Sequence, residues 1–203
     1  MKIKKMGIVV FILALIIGRM HCAVFALPVQ WQGNGHYYDL VAGYGNWTAI
    51  IDAVNTNYVY EGMNGYLATI TSEGENQFIT SLFANQSDVH MVFLGGTKDS
   101  YGKWIWDNGP ESGLLFWDEA INSGPLYANW GLNQPDRPDV HYLAMCLETG
   151  AWYDVNNGGY TGAPLRVNGY IVEYSPVVPE PDILILLAMG LLFVFRFYSI
   201  DAG

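Results

Sequence analysis

The sequence predicts an α+β domain in which two amphipathic helices are followed by many short strands. Aromatic residues make up 15% of the chain and glycines number 23, against only 14% charged residues, a balance that suits short, turn-punctuated strands better than a helical bundle. Two segments ahead of Asn85 carry apolar residues at helical spacing. Beyond Asn85 come short β-prone runs, each bounded by Gly, Asn or Asp.

The chain opens with Lys2, Lys4 and Lys5 ahead of an apolar run from Gly7 to Ile17, the charge-then-apolar order of a secretory signal. Val24 and Ala26 suit a signal peptidase, so residues 1–26 are expected to leave and the domain to start at Leu27. Cys22 leaves with them. A lipidated Cys22 is disfavoured because His21 is too large for the position before it.

The first helix is expected from about Thr48 to Asn55, with Trp47, Ile50, Ile51 and Val54 on one stripe. "GYLATI" follows as a strand or extended link with alternating Tyr66, Ala68 and Ile70. The second helix opens with Ser72 three residues before Glu75, a capping box, and places Phe78, Ile79, Leu82 and Phe83 on one face. The strand runs are "HMVFLGG", "GKWIWDNG", "HYLAMCLETG", "AWYDV" and "NGYIVEY", with Gly95-Gly96 at a strand-to-turn boundary. Asp107 to Asn133 reads mostly as loop, and its Phe116, Trp117, Tyr127 and Trp130 imply that this loop is packed.

A second apolar run, Ile183 to Phe195, follows "VVPEPD" and precedes Arg196. Its 13 residues, or 18 to Ile200, sit at or below the roughly 17–25 of a spanning helix. Val178-Pro179-Glu180-Pro181, the apolar helix (residues 183–198) and the basic residue together resemble the PEP-CTERM tail of bacterial exported proteins. The resemblance implies transient membrane anchoring by residues 176–203, removal of the tail by an exosortase, and release to the cell surface or extracellular matrix. Arg196 stands alone where that pattern has a basic cluster.

Trimmed to residues 27–181, the chain keeps four basic side chains against 17 of its 19 acidic ones, so a formal charge of −10 becomes −13. Such a surface repels nucleic acid and anionic lipid. About 155 residues suffice for one domain with a core of its own. Cys146 is the lone cysteine in it, which excludes an intramolecular disulfide and suits an inert buried thiol.

In order, "GYLATITSEGENQFI", "FLGG", "WIW", "YANW", "NQPD", "YLAM", "WYD" and "GYIVEY" resemble a C-type lectin domain over His36 to Tyr174, within a domain assigned to residues 27–175. The resemblance implies two helices flanking a mixed, mostly antiparallel sheet, with a long loop region that holds calcium and ligand. The disulfide cysteines of the animal members are missing, and Tyr142 stands where one half-cystine is expected. Trp104, Trp106, Trp130 and Trp152 are read as core and loop anchors.

Sugar-binding members hold calcium through a Glu-Pro-Asn or Gln-Pro-Asp triplet, a downstream glutamate, and the Asn-Asp of a Trp-Asn-Asp motif. Here Gln134-Pro135-Asp136 matches the galactose-type triplet and Asp154 the last aspartate. A cis bond before Pro135 would turn both flanking side chains toward one point. Val140 stands at the glutamate position and Tyr153 at the asparagine. Gln134, Asp136 and Asp154, with Asp139 as a substitute for the lost glutamate, leave two readings open: a weak calcium site, or none. Tyr153 and Arg137 offer stacking and hydrogen bonds to a glycan without an ion.

No histidine among His36, His90 and His141 has metal-ligand spacing with another His or Cys. Asp118 and Glu119 read as a solvated turn, and no nucleophile sits in an elbow, so an enzyme is the least favoured class. A carbohydrate-binding module leads, its partner a glycan or extracellular polysaccharide. A calcium-independent structural or protein-binding matrix component is the alternative. If the tail is processed, the intact mass of secreted protein will correspond to a chain ending near Pro181; a mass that includes Ile183 to Gly203 would refute processing.

Overall fold

The computed structural model describes residues 27–83, 85–86, 88–159 and 166–176. The signal segment 1–26 and the 183–198 apolar helix lie outside the described residues. Among the described residues no helix is long and apolar enough to cross a membrane.

The elements are β1 (Val29–Gln30), β2 (Tyr37–Ala42), α1 (Trp47–Asn57), β3 (Val59–Tyr60), β4 (Met63–Leu67), α2 (Glu73–Phe83), β5 (Met91–Lys98), β6 (Lys103–Trp106), β7 (Leu115–Asp118), β8 (Tyr142–Cys146), β9 (Trp152–Val155) and β10 (Val167–Tyr174). The main sheet runs β1-β2-β10-β5-β6-β7, with β4 also on β10 and the β8–β9 pair on β5. Strands β10 and β5 pair in parallel and the other described pairs are antiparallel, as the mixed sheet required.

Strand alternation sends successive side chains to opposite faces. Along β5, Val92 and Leu94 enter one apolar cluster while Met91 and Phe93 enter another. Leu143 and Met145 of β8 join the first, and Ala144 the second. The first cluster is covered by α2 through Ile79 and Phe83, the second by α1 through Trp47, Ile50, Ile51 and Val54. All four residues of the predicted α1 stripe are buried. The loop after β9 starts this helix, since the Asn157 carbonyl accepts from Trp47 N at 2.7 Å and its Oδ1 from Thr48 N at 3.0 Å. Tyr142, at the expected half-cystine position, packs its ring 4.9 Å from that of Trp47, and Cys146 is a half-buried free thiol.

Three expectations need correction. Gly95-Gly96 lies inside β5, where the register between β5 and β8 shifts. A Cβ on Gly95 would meet the Leu67 carbonyl oxygen at 2.6 Å, so close backbone approach, not a turn, demands the glycine. The stretch read as loop from Asp107 contains β7, whose Phe116 is fully buried. The capping box forms by half: Ser72 Oγ accepts from Glu75 N at 3.2 Å, but Glu75 Oε2 accepts from Thr71 N at 2.8 Å.

The other oxygen of Glu75 is drawn into the sheet. Glu75 and Glu173 of β10 are each 1% exposed, and the Tyr38 hydroxyl lies 2.5 Å from Glu75 Oε1 and 3.2 Å from Glu173 Oε1. One hydroxyl hydrogen cannot serve both carboxylates. His36 Nδ1 stands 2.5 Å from Glu173 Oε1, Thr69 N donates to Glu173 Oε2 at 2.9 Å, and Glu111 approaches through Thr69 Oγ1. Burial, then the charge of Glu173, pushes the Glu75 carboxyl up to about 7. The hydrogen bond to Glu173 raises His36, against burial.

Both groups bind protons more tightly folded than unfolded. The Glu75 contribution to stability is complete below its ordinary 4.5 and lost as pH rises through about 7. That of His36 is complete below 6.5 and lost above its raised folded value. The melting temperature should therefore fall between about pH 5 and pH 8. Glu75→Gln should flatten that fall and stabilise the protein at alkaline pH by of order 1–3 kcal/mol. Parallel wild-type and variant curves in calorimetry would refute the assignment.

Candidate functional site

Aromatic rings lay the long loop on the sheet. Trp106 stacks on Phe116 at 4.5 Å, and Trp152 meets Phe116 at 5.8 Å, Tyr127 at 5.6 Å and Trp130 at 6.2 Å. Trp104, Trp106 and Trp152 are fully buried and Trp130 partly so, as anchors should be. The Trp152 indole donates to Asn76 Oδ1 at 2.8 Å, while its backbone N donates to Asn129 O at 2.8 Å and its carbonyl accepts from Gly131 N at 2.9 Å. The chain then turns through Asn133, at φ +61°, into a cis Gln134-Pro135 bond.

Asp154 lies two residues beyond Trp152 on the same face of β9 and is fully buried beneath this turn. Its Oδ2 accepts from Arg137 N at 2.8 Å, and its own N–H donates to Gln134 Oε1 at 3.2 Å. Its Oδ1 is buried and makes no well-formed hydrogen bond with the described residues. Burial raises the Asp154 carboxyl; the amides of Arg137 and Asp136 oppose this and the Asp136 charge adds to it. Asp136 and Arg137 are 48% and 43% exposed, with Asp136 Oδ1 3.7 Å from Arg137 Nε. From the opposite side Lys98 Nζ donates to the Arg137 carbonyl at 2.7 Å. The turn is thus clamped on both flanks.

Gln134, Asp136, Arg137 and Asp154 are brought together by these contacts. Tyr153 alternates to the other face of β9, packs with the α1 cluster, and presents its ring edge to Gly131. Asp139 is exposed, and Val140, where a glutamate would stand, is 6% exposed. Among the described residues no three Asp, Glu, His or Cys side chains gather where they could hold a metal.

No protein-family profile matches the chain. It is 32% identical over 156 residues to halomucin of Haloquadratum walsbyi, covering 74% of this chain but about 2% of the length of halomucin. Among solved structures, the C-type lectin CEL-I from Cucumaria echinata superposes with a TM-score of 0.52 at 17% identity, over 73% of this chain and 96% of that one. Human lithostathine gives 0.53 at 15% identity, over 78% and 94%, and CEL-IV gives 0.52 at 19%, over 77% and 98%. The fold is that of a C-type lectin.

Calcium at the triplet is what the Gln134-Pro135-Asp136 resemblance implies. Calcium takes six to eight oxygens. Asp154 Oδ1 is an unspent buried acceptor, as a ligand would be, but Gln134 Oε1 and Asp154 Oδ2 already accept from backbone N–H groups, and Asp136 leans toward Arg137. Two carboxylates and a committed amide do not fit this ion.

The sequence reading missed Lys98, whose side chain is 1% exposed and holds Arg137 from below, and Glu119, which is no solvated turn but accepts from Lys98 Nζ at 3.1 Å and Trp104 Nε1 at 3.0 Å. A lysine closing an apolar strand, in a domain with so few basic residues, was the available signal.

Asp154→Ala should destabilise the domain by about 1–3 kcal/mol by leaving the Arg137 N–H without its acceptor. Asp154→Asn keeps an acceptor and offers Asp136 a donor, so its cost in denaturant titration should be well under half of that. Equal losses would show that the clamp is not the role of Asp154.

Proposed function

We propose that this chain is an exported carbohydrate-binding module whose glycan site is the turn carrying Gln134, Asp136 and Arg137, and that it binds without calcium. The observation that carries this reading is the clamp. Arg137 N to Asp154 Oδ2, Asp154 N to Gln134 Oε1 and Lys98 Nζ to the Arg137 carbonyl hold the triplet in place with the protein's own donors. The Gln134 amide nitrogen, the half-exposed Asp136 carboxylate and the Arg137 guanidinium then present donors and acceptors of the kind that pair with vicinal sugar hydroxyls. Tyr153, set beside Gly131, supports the turn's base and contributes ring surface. Asp139 lies at the rim. Secretion through the 1–26 signal, transient anchoring by the tail and its removal by an exosortase would deliver the module to the cell surface or matrix, where extracellular polysaccharide is its partner.

A structural or protein-binding matrix component is the second reading, favoured by Val140 and Tyr153 standing where the sugar-binding pattern has a glutamate and an asparagine. Calorimetric titration of the secreted protein with galactose-containing glycans, with calcium and with a chelator, separates the two. The expected result is binding of equal affinity in both conditions, with Asp136→Ala weakening it about tenfold or more, the equivalent of one charge-assisted hydrogen bond. No glycan binding in either condition would leave the scaffold reading. Binding that needs calcium would overturn the clamp as the organiser of the site.

A further inference from the structure

The turn of residues 134–138 has a second flank. Its Pro138 lines a groove of about 520 Å³ whose other walls include Lys98, Asp99, Tyr101, Glu119 and His141. That volume lies within the roughly 300–1,000 Å³ of ligand clefts. We propose that this groove is a second saccharide subsite, taking a neutral sugar residue of a chain whose neighbouring residue is met by the Gln134–Arg137 face.

The groove has one large apolar surface and fixed polar groups. Tyr101 is 81% exposed, on a β5–β6 turn held by Asp99 Oδ1, which accepts from Tyr101 N at 2.8 Å and Lys103 N at 2.9 Å. An aromatic ring held out on a braced turn gives wide contact at small entropic cost. Glu119 Oε1 is occupied by Lys98 and Trp104, which orients the carboxylate and leaves Oε2 as an acceptor beside Gly102. His141 Nδ1 lies 3.1 Å from the Lys98 carbonyl. A carbonyl only accepts, so Nδ1 carries the hydrogen and Nε2 of the neutral ring accepts. Acceptors in fixed positions suit hydroxyl donors, and a sugar supplies them with an apolar ring face for Tyr101.

Charge selects among sugars. Asp99 and Glu119 outweigh the buried ammonium of Lys98, which is shared between Glu119, the Arg137 carbonyl and the face of Trp104 at 5.4 Å. The groove is net acidic in a chain of formal charge −10, so uronate or sulfated residues are repelled. Arg137 joins the two subsites, its N–H tied to Asp154 and its carbonyl to Lys98.

This subsite rests on the glycan-binding reading, and the experiment keeps the two apart. Galactose, β-1,4-linked galactotetraose and polygalacturonate are titrated against the secreted protein, its Tyr101→Ala variant and its Asp136→Ala variant, with two-dimensional NMR at saturating tetrasaccharide. The tetrasaccharide should bind more tightly than galactose, and polygalacturonate more weakly than either neutral sugar. Tyr101→Ala should lower tetrasaccharide affinity about tenfold and galactose affinity less than twofold, about 1.4 kcal/mol against under half of that. Asp136→Ala should weaken both. Signals of Tyr101 and His141 should shift with the tetrasaccharide. An unchanged tetrasaccharide affinity in Tyr101→Ala, or Tyr101 and His141 signals that stay still while those around Asp136 move, overturns the second subsite alone. Absence of binding by all three sugars overturns both readings.

Discussion

The placement of Trp152 is the constraint from which the shape of the triplet turn follows. A buried indole N–H costs free energy when it has no partner, and for Trp152 Asn76 on α2 supplies one at 2.8 Å. The same residue binds the loop backbone on both sides, through Asn129 O and Gly131 N. Helix, sheet and long loop therefore meet at one side chain. Because strand residues two apart share a face, fixing Trp152 also fixes Asp154, and Asp154 fixes Arg137. Phe116, Tyr127 and Trp130 are arranged around that ring, which is how a stretch with little regular structure keeps its shape.

A clamp made of N–H donors differs physically from one made of an ion. An ion-organised loop loses its shape when the ion leaves, so occupancy and loop order are coupled. Here the buried Asp154 carboxylate takes the organising place, and the backbone donors that meet it offset part of its desolvation cost. Val140 fits the same logic. At 6% exposure it contributes to packing where a liganding glutamate would have had to face the loop. Once the donors come from the backbone, that position is released to the core.

Much of the fold was legible because it depends on local periodicity. The α1 stripe of Trp47, Ile50, Ile51 and Val54 and the five strand runs follow from side-chain spacing alone, and the structure buries them accordingly. β7 was not legible. Its "LFWD" gains strand geometry from pairing with β6, a contact distant from any local signal. The capping box was legible as a motif but not in its geometry, since Glu75 answers to Tyr38 on another strand as well as to its own helix. In the site, the triplet and Asp154 stand out from motif spacing. That Asp154 would be buried, Tyr153 turned to the other face and Lys98 brought under Arg137 depends on tertiary contacts.

The two buried carboxyl systems share a physical origin and differ in consequence. Glu75 and Glu173 stand against each other with one tyrosine hydroxyl between them, so their repulsion is partly unrelieved and proton uptake near neutrality relieves it. Asp154 is buried to the same extent, yet backbone donors hold one of its oxygens and the exposed Asp136 is its acidic neighbour. Titration of the first pair acts on the junction of β2, α2 and β10. The contacts of Asp154 lie within the triplet turn itself. Stability can therefore fall with rising pH through the first system while the triplet turn keeps its own hydrogen bonds for as long as the domain stays folded.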